Sequence, residues 1–172
     1  PVALDCAPQG WNVTCSEGMM DSACIETVRL LLESAPAVFD TPFFAMKGGT
    51  AISLFIEDMP RMSVDIDVVY IHHQTTREEA LKSISSALET ARKRLANGVL
   101  EAEVSSTKDG NEVKLFVRRG HNQVKIEVNY VFRGTVLPVE TRRLGSEARR
   151  LFTTELSVPM LAEAELYGSK LV

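Results

Sequence analysis

The sequence has 172 residues, of which 45% are hydrophobic and 24% charged, and a net charge of −4. This composition is that of a globular domain and excludes a disordered or fibrous chain, and no apolar run reaches the roughly 18 residues of a membrane-crossing helix. The acidic balance also excludes a global basic field that would recruit nucleic acid. Since the first residues, PVALDCAPQG, lack the basic segment that begins a secretory signal, we expect a cytoplasmic protein.

Three cysteines, Cys6, Cys15 and Cys24, lie near the start of the sequence. Their spacing contains neither the C-x-x-C nor the Cys/His pairs that are typical of a zinc site. Disulfides are rare in the reducing cytoplasm. We therefore expect these cysteines to be free thiols.

The first third of the chain predicts a loose lead-in over residues 1–19, two helices and a strand. The first helix begins near Met20, where apolar residues recur at helical spacing. PFFAM follows as a short strand, and the KGG after it as a tight turn. The second helix, TAISLFIED, covers residues 50–58, and Thr50 is its expected N-cap.

The rest of the chain predicts a strand, a long helix and an antiparallel meander. SVDIDVVYI alternates polar and apolar residues with a period of two, which is typical of a half-buried strand. The helix TTREEALKSISSALETARKRLAN opens with a capping box formed by Thr76 and Glu79. VLEAEVSS, EVKLFVRR and VKIEVNYVF then alternate again and predict three antiparallel strands, followed by LPVETRRLGSEARRLF as an irregular basic connector.

The last segment, SVPMLAEAELYGSKLV, predicts a helix with Ser157 as its N-cap and Pro159 in its first turn. We therefore expect a core domain over residues 20–156 and the start of a C-terminal helical region over 157–172. The order of the elements predicts an α+β fold with a mixed, mostly antiparallel sheet and flanking helices.

Asp65 and Asp67 lie inside the strand SVDIDVVYI, although β-propensity disfavours aspartate. Because they are two residues apart, their side chains leave the same face of the strand about 6.6 Å apart along it. Such carboxylates repel one another unless a cation lies between them, and Mg²⁺ prefers carboxylates supplemented by water and phosphate oxygens. A magnesium site is one interpretation, and a solvent-exposed strand face is the other.

Two further features accompany the aspartates. The pair Gly48-Gly49 precedes a predicted helix, where free N–H groups bind anions and glycine lets a phosphate approach the backbone. Glu127, within VKIEVNY, has its side chain on the strand face opposite to Ile126 and Val128. Glu127 is therefore a candidate third carboxylate of a metal site, or alternatively an exposed strand residue.

The order of glycine pair, helix, strand with two acids and later strand with a third acid resembles the polymerase-β-like nucleotidyltransferase superfamily, and more finely the AbiEii/AbiGii toxin family. FFAMKGGTAISLF, the R-x-S-x-D-x-D run in RMSVDIDVVY, the Lys-x-acid in VKIEVNY and the helix LAEAELYGSKLV carry the resemblance. It implies a polymerase-β-like nucleotidyltransferase core that transfers a nucleoside monophosphate from an NTP. The implied cofactor is Mg²⁺, with Mn²⁺ as an alternative.

The resemblance also implies roles for single residues. The catalytic and metal-binding roles fall on the three carboxylates, Asp65, Asp67 and Glu127. The nucleotide-binding roles fall on residues of the same motifs: Lys47, Gly48, Gly49, Thr50, Arg61, Ser63, Lys125 and Lys170. For the lysines the alternative is a solvated surface charge, and for Arg61 it is a cap on the preceding helix.

The sequence gives a weaker indication of the molecule that accepts the nucleoside monophosphate. The second half carries seven candidate RNA-contacting arginines: Arg118, Arg119, Arg133, Arg142, Arg143, Arg149 and Arg150. The alternative is that these arginines are solvated surface charges.

The resemblance implies tRNA as an acceptor in some members, and a cognate antitoxin, in bacterial toxin–antitoxin and phage-defence systems. The alternative function is a non-catalytic nucleotide- or partner-binding module with the same fold. A third is transfer to a small molecule or to a protein hydroxyl group.

Overall fold

A single sheet of seven strands organises the described part of this computed structural model, which comprises residues 22–57, 59, 63–96, 99–106, 112–129 and 133–169. The strands are β1 (Phe44–Lys47), β2 (Asp65–Tyr70), β3 (Glu101–Ser106), β4 (Glu112–Arg119), β5 (Asn122–Asn129), β6 (Glu140–Arg143) and β7 (Ser157–Met160). The helices are α1 (Ser22–Phe39), α2 (Gly48–Ala51), α3 (Arg77–Ala96), α4 (Ser146–Phe152) and α5 (Glu163–Gly168), and a π-helical segment, Ile52–Ile56, continues α2.

The sheet has the strand order β3-β4-β5-β2-β1-β7-β6. Four neighbouring pairs are antiparallel, and the pairs β2–β5 and β1–β7 are parallel. The predicted α+β fold with a mixed, mostly antiparallel sheet and flanking helices is therefore confirmed. The predicted meander is confirmed as well, since β3, β4 and β5 are consecutive antiparallel neighbours.

Helices α1 and α3 pack on one face of the sheet. The apolar residues that alternate along the strands, such as Ile66, Leu115 and Ile126, are fully buried beneath them. Burial of this apolar area is the main stabilising contribution to the fold. The residues between them in sequence therefore lie on the opposite face, which we call the open face.

Helix α3 begins as the sequence predicts. The backbone N–H of Thr76 donates to Glu79 Oε2 at 3.1 Å, and the Glu79 N–H donates to Thr76 Oγ1 at 3.3 Å. These two bonds form the capping box and satisfy two N–H groups that a helix start leaves without partners. The hydrogen bonds from Thr76 also hold the pKa of Glu79 below its ordinary value.

The prediction of a helix beginning at Ser157 is wrong. Residues 157–160 form β7, which lies between β1 and β6, and α5 begins only at Glu163. Val158 and Met160 are fully buried while Ser157 is exposed, so this segment has the period of a strand. The segment predicted as an irregular connector likewise contains β6 and α4.

Cys24 is disulfide-bonded, so the expectation of free thiols is wrong for this residue. Cys6, Cys15 and the whole predicted lead-in over 1–19 lie outside the described residues. Among the helices that the structure describes, none has the length and apolar character that crossing a bilayer requires.

Candidate active site

The strand register aligns two rows of side chains across the open face. The first row is Asp65, Lys125, Phe116 and Glu103, on β2, β5, β4 and β3. The second row is Lys47, Asp67, Glu127, Lys114 and Ser105, on β1, β2, β5, β4 and β3. Side chains directly opposite on neighbouring strands share a face and lie about 5 Å apart. The parallel pair β2–β5 therefore brings all three predicted carboxylates together.

Two lysines connect these carboxylates. Lys125 Nζ lies 3.4 Å from Asp65 Oδ2 and 3.4 Å from Glu127 Oε1, so it bridges the two acids. Lys114 Nζ lies 2.9 Å from Glu127 Oε1. Asp67 makes no ion pair with any residue that the structure describes. The two lysine ammonium groups are therefore paired with Glu127 and Asp65 and not with Asp67.

The pKa values of the two acids in the second row are shifted in opposite directions. Burial raises the pKa of Asp67, and the negative charges of Glu127 and Asp65 add to this more than Lys47 and Lys125 offset it. For Glu127, burial would also raise the pKa, but the hydrogen bonds and charges of Lys114 and Lys125 together outweigh burial and lower it. Asp67 is therefore the carboxylate that gains most from an added cation.

Gly48 lies directly against Asp67. Its φ is +82°, in the left-handed region, and a Cβ at this position would overlap Asp67 Oδ2 and lie 3.0 Å from Asp67 Cβ. Only glycine combines this backbone conformation with so close an approach. The glycine is therefore required for the aspartate to occupy its place.

The predictions of a turn at KGG and of an N-cap at Thr50 are wrong. Helix α2 begins at Gly48 itself, after Lys47, and has no side-chain cap. Thr50 is buried, and its hydroxyl donates to the backbone O of Asp65 at 2.5 Å. The threonine therefore holds α2 against the first residue of β2.

The remaining predicted nucleotide-binding residues are spread around this site. Lys47 lies beside Asp67 in the register of β1 and β2, and Ser63 lies two residues before β2 with a half-buried side chain. Gly49 is the second residue of α2. Arg61 and Lys170 lie outside the described residues.

The donor set of the site fits a divalent cation in part. Asp65 and Asp67 offer carboxylate oxygens on one face, which is the chemistry that Mg²⁺ prefers. Glu127, in contrast, is already bound by two ammonium groups. Within the described ranges, no three His, Cys, Asp or Glu side chains form a ready metal cluster. The two aspartates therefore fit a metal ion better than the three carboxylates together.

Two residues on β4 were missed by the sequence analysis, which took EVKLFVRR only as a meander strand. Lys114 binds Glu127, and Phe116 lies opposite Lys125. The alternation with the buried Leu115 and Val117 could have placed both on the open face.

The arginines do not form one basic face. Arg118 and Arg119 end β4, whereas four others lie at or beyond β6, on the opposite edge of the sheet. Each of these six arginines lies within 4 Å of a glutamate: Arg118 of Glu103, Arg119 of Glu33, Arg142 of Glu140 and Glu163, Arg143 and Arg149 of Glu155, and Arg150 of Glu147. This distribution does not support one continuous RNA-binding face, and it favours surface charges for the four arginines of β6 and α4.

The described cavities do not include the carboxylates. One of about 470 Å³ lies between α1 and α3 and is lined by Asp40, Phe43, Lys82 and Thr90 among others. Another of about 440 Å³ lies between residues 71–74 and 135–138. Neither holds a cluster of carboxylates, so we assign the chemistry to the open face.

Comparison with protein families supports this assignment. Residues 29–172 match the family model described as "Nucleotidyl transferase AbiEii toxin, Type IV TA system". The matched range includes Gly48, Asp65, Asp67 and Glu127. No curated protein matches the chain.

Proposed function

Because the chain belongs to the AbiEii nucleotidyl transferase toxin family of type IV toxin–antitoxin systems, we propose that it transfers a nucleoside monophosphate from an NTP to a hydroxyl group of an acceptor. The observation that carries this proposal is the register of β2 and β5, which pairs Asp65 with Lys125 and Asp67 with Glu127. This register places two acids side by side and a lysine beside the third acid, which are the groups that binding of a metal ion and a phosphate chain requires.

Asp65 and Asp67 would hold the magnesium ion, or manganese in its place, and Glu127 is the proposed third carboxylate. When bound, the ion supplies positive charge that neutralises the triphosphate and the leaving pyrophosphate. The raised pKa of Asp67, which burial and neighbouring negative charge cause, supports a cation at this position.

Gly48 and Gly49 would admit the triphosphate to the backbone, with Lys47, Thr50 and Ser63 around it. Arg61 and Lys170, outside the described residues, belong to the same proposal. Lys125 would contact the phosphate chain from β5, since its ammonium group already lies beside Asp65. Together these groups would orient the α-phosphate for attack.

In the reaction, the acceptor oxygen forms a bond to the α-phosphorus while the bond from that phosphorus to the α–β bridging oxygen breaks. Pyrophosphate leaves, and the proton of the hydroxyl group passes to Glu127. The lysines keep Glu127 ionised by lowering its pKa. Because a low pKa makes a weak base, we expect removal of Glu127 to slow transfer less than removal of Asp67.

We propose RNA, and tRNA in particular, as the acceptor, and a cognate antitoxin as the protein partner that the type IV system implies. The proposed setting is the bacterial cytoplasm, as part of phage defence. A non-catalytic binding module remains the second candidate. The lysine bridges favour it, because they neutralise Asp65 and Glu127 without a metal ion.

A thermal-shift titration with each NTP, with and without Mg²⁺, tests the proposal. A ligand that binds only the folded state raises its stability by about 2.7 kcal/mol at a hundredfold excess over Kd. We expect a magnesium-dependent shift in the wild type that is lost in the Asp65→Asn/Asp67→Asn variant. Asp40→Asn is the control, since Asp40 is an exposed carboxylate paired with Arg94 near the end of α1.

Transfer of labelled nucleotide to bulk tRNA separates the two candidate functions. An enzyme gives labelled RNA that the double variant does not produce. A magnesium-dependent thermal shift without any transfer to RNA, protein or small hydroxyl compounds would instead establish the binding module.

A further inference from the structure

Phe116 is an aromatic side chain on the open face. Its neighbours in sequence, Leu115 and Val117, are fully buried under the helices, whereas Phe116 is only half-buried. Across the sheet it lies between Lys125 on β5 and Glu103 on β3. Packing in the hydrophobic core therefore gives no reason for an aromatic side chain at this position.

A fixed guanidinium group accompanies the ring. The Cζ atom of Arg118 lies 5.7 Å from the centroid of Phe116, within the range of a cation–π contact. Arg118 Nε donates to Gln123 Oε1 at 2.7 Å, and its Nη1 donates to Glu103 Oε2 at 3.1 Å. The guanidinium group is thus held over the aromatic ring on the open face.

We propose that Phe116 and Arg118 form a stacking site for a nucleobase of a single-stranded nucleic-acid acceptor. Aromatic rings and guanidinium planes on an open sheet are the surfaces on which unpaired bases stack. This inference rests on the proposed nucleotidyl transfer, whose acceptor class it specifies.

The position of the pair fits the acceptor and not the NTP. Phe116 is in the same row as Asp65 and two strands away, about 10 Å at the usual strand spacing. Gly48, where the phosphate chain is proposed to lie, is on the other side of Asp67, towards β1. Because attacking and leaving oxygens are roughly in line, an acceptor opposite the pyrophosphate approaches over β5 and β4.

The charged residues around the Phe116 ring indicate on which side of it the backbone of the nucleic acid would lie. Glu103 on β3 is paired with Arg118, so Glu101 is the acid of β3 that repels phosphates, while Lys114 on β4 attracts them. The backbone of the acceptor would therefore pass Lys114, and its base would lie on Phe116.

Fluorescence anisotropy with a labelled single-stranded hexaribonucleotide, in the presence of Mg²⁺, tests this site. We expect Phe116→Leu to weaken binding about tenfold, as loss of one stacked base does, and Phe116→Tyr to bind as the wild type does. Arg118→Lys, which keeps the charge and removes the plane, should weaken binding several-fold. Phe39→Leu is the control, because Phe39 is a half-buried aromatic at the end of α1. A blunt-ended RNA duplex, which has no unpaired bases, should be insensitive to all four changes.

The outcomes distinguish this inference from the proposed function. The stacking site is overturned if Phe116→Leu and Arg118→Lys bind the hexamer as tightly as the wild type does. It is also overturned if the wild type does not bind the hexamer. A Phe116→Leu variant with weakened NTP-dependent thermal shift and normal RNA binding assigns the base to the NTP and overturns the acceptor site. Ring-dependent RNA binding without any nucleotidyl transfer supports the site and overturns the transferase.

Discussion

Lys114 Nζ lies 2.9 Å from Glu127 Oε1, directly across the antiparallel pair β4–β5, and Lys125 Nζ lies 3.4 Å from the same oxygen. Two ammonium groups thus bind one oxygen of Glu127, while Asp67 on the neighbouring strand has no such partner among the described residues. Burial and the charge of Glu127 raise the pKa of Asp67, whereas the two lysines lower the pKa of Glu127, so two acids of one row have opposite pKa shifts. This difference makes their proposed roles separable by experiment.

We expect Lys114→Met to move the acid limb of the transfer rate to higher pH. Lys114 stabilises the ionised form of Glu127, so its removal raises the pKa of that carboxyl. In the variant, Glu127 is then protonated at a higher pH than in the wild type, and the transfer rate falls at a higher pH. A pH–rate profile measures the shift, with Lys82→Met, an exposed lysine on α3, as the control. Identical acid limbs in wild type and variant would remove Glu127 from the role of base.

We expect Asp67→Asn to stabilise the fold near neutral pH while it lowers transfer by about 100-fold or more, because it removes a proposed metal ligand. The folded-state pKa of Asp67 is raised, because burial and nearby negative charges disfavour its ionised form. The ionised Asp67 therefore lowers the free energy of unfolding. This loss of stability is complete above the folded-state pKa and disappears as pH falls towards the unfolded-state pKa. The gain in stability should therefore be present at pH 7 and be absent once the pH lies below the unfolded value.

Urea unfolding at the two pH values measures this difference. Asp40→Asn, which removes a carboxylate paired with Arg94, should give no gain at neutral pH. A destabilised Asp67→Asn variant at pH 7 would contradict the unfavourable electrostatics that we assign to this aspartate.

The parts of the fold that the sequence predicts correctly are those with a local signal. Strand β2 follows from the alternation around Ile66, and α3 from its leucine spacing and the Thr76–Glu79 box. Strand β7 alternates over only four residues that precede a helix, which is too short to be distinguished locally, and its pairing with β6 and with the distant Met46 of β1 determines it. Pairing between remote strands, and not propensity, determines that element.

The candidate site was predictable by residue type and not by geometry. Asp65, Asp67 and Glu127 follow from the motifs, but their meeting depends on the parallel register of β2 and β5. Nothing local to either strand determines that register. Lys114 was missed for the same reason, since its role arises only from its place opposite Glu127.

We expect Thr50→Val to destabilise the protein by about 1 kcal/mol, the usual net contribution of one buried hydrogen bond. Thr50 Oγ1 donates to the backbone O of Asp65, and valine keeps the shape of the side chain without the donor. Since this bond fixes α2 on β2, NTP affinity should fall together with stability. Chemical denaturation and NTP titration on one preparation measure both. Thr90→Val, whose exposed hydroxyl bonds within α3, is the matched control and should change neither.

We expect Gly48→Ala to destabilise the fold by more than about 1 kcal/mol, because alanine is strained at positive φ, and to abolish NTP binding. The added Cβ would force Asp67 from its place. Gly120→Ala is the matched control: its φ is also positive, at +59°, but a Cβ there meets no atom within 4 Å. The control should therefore lose stability by backbone strain alone and keep NTP binding and transfer. If both variants lost NTP binding equally, the effect would come from strain, and the contact between Gly48 and Asp67 would not position the aspartate.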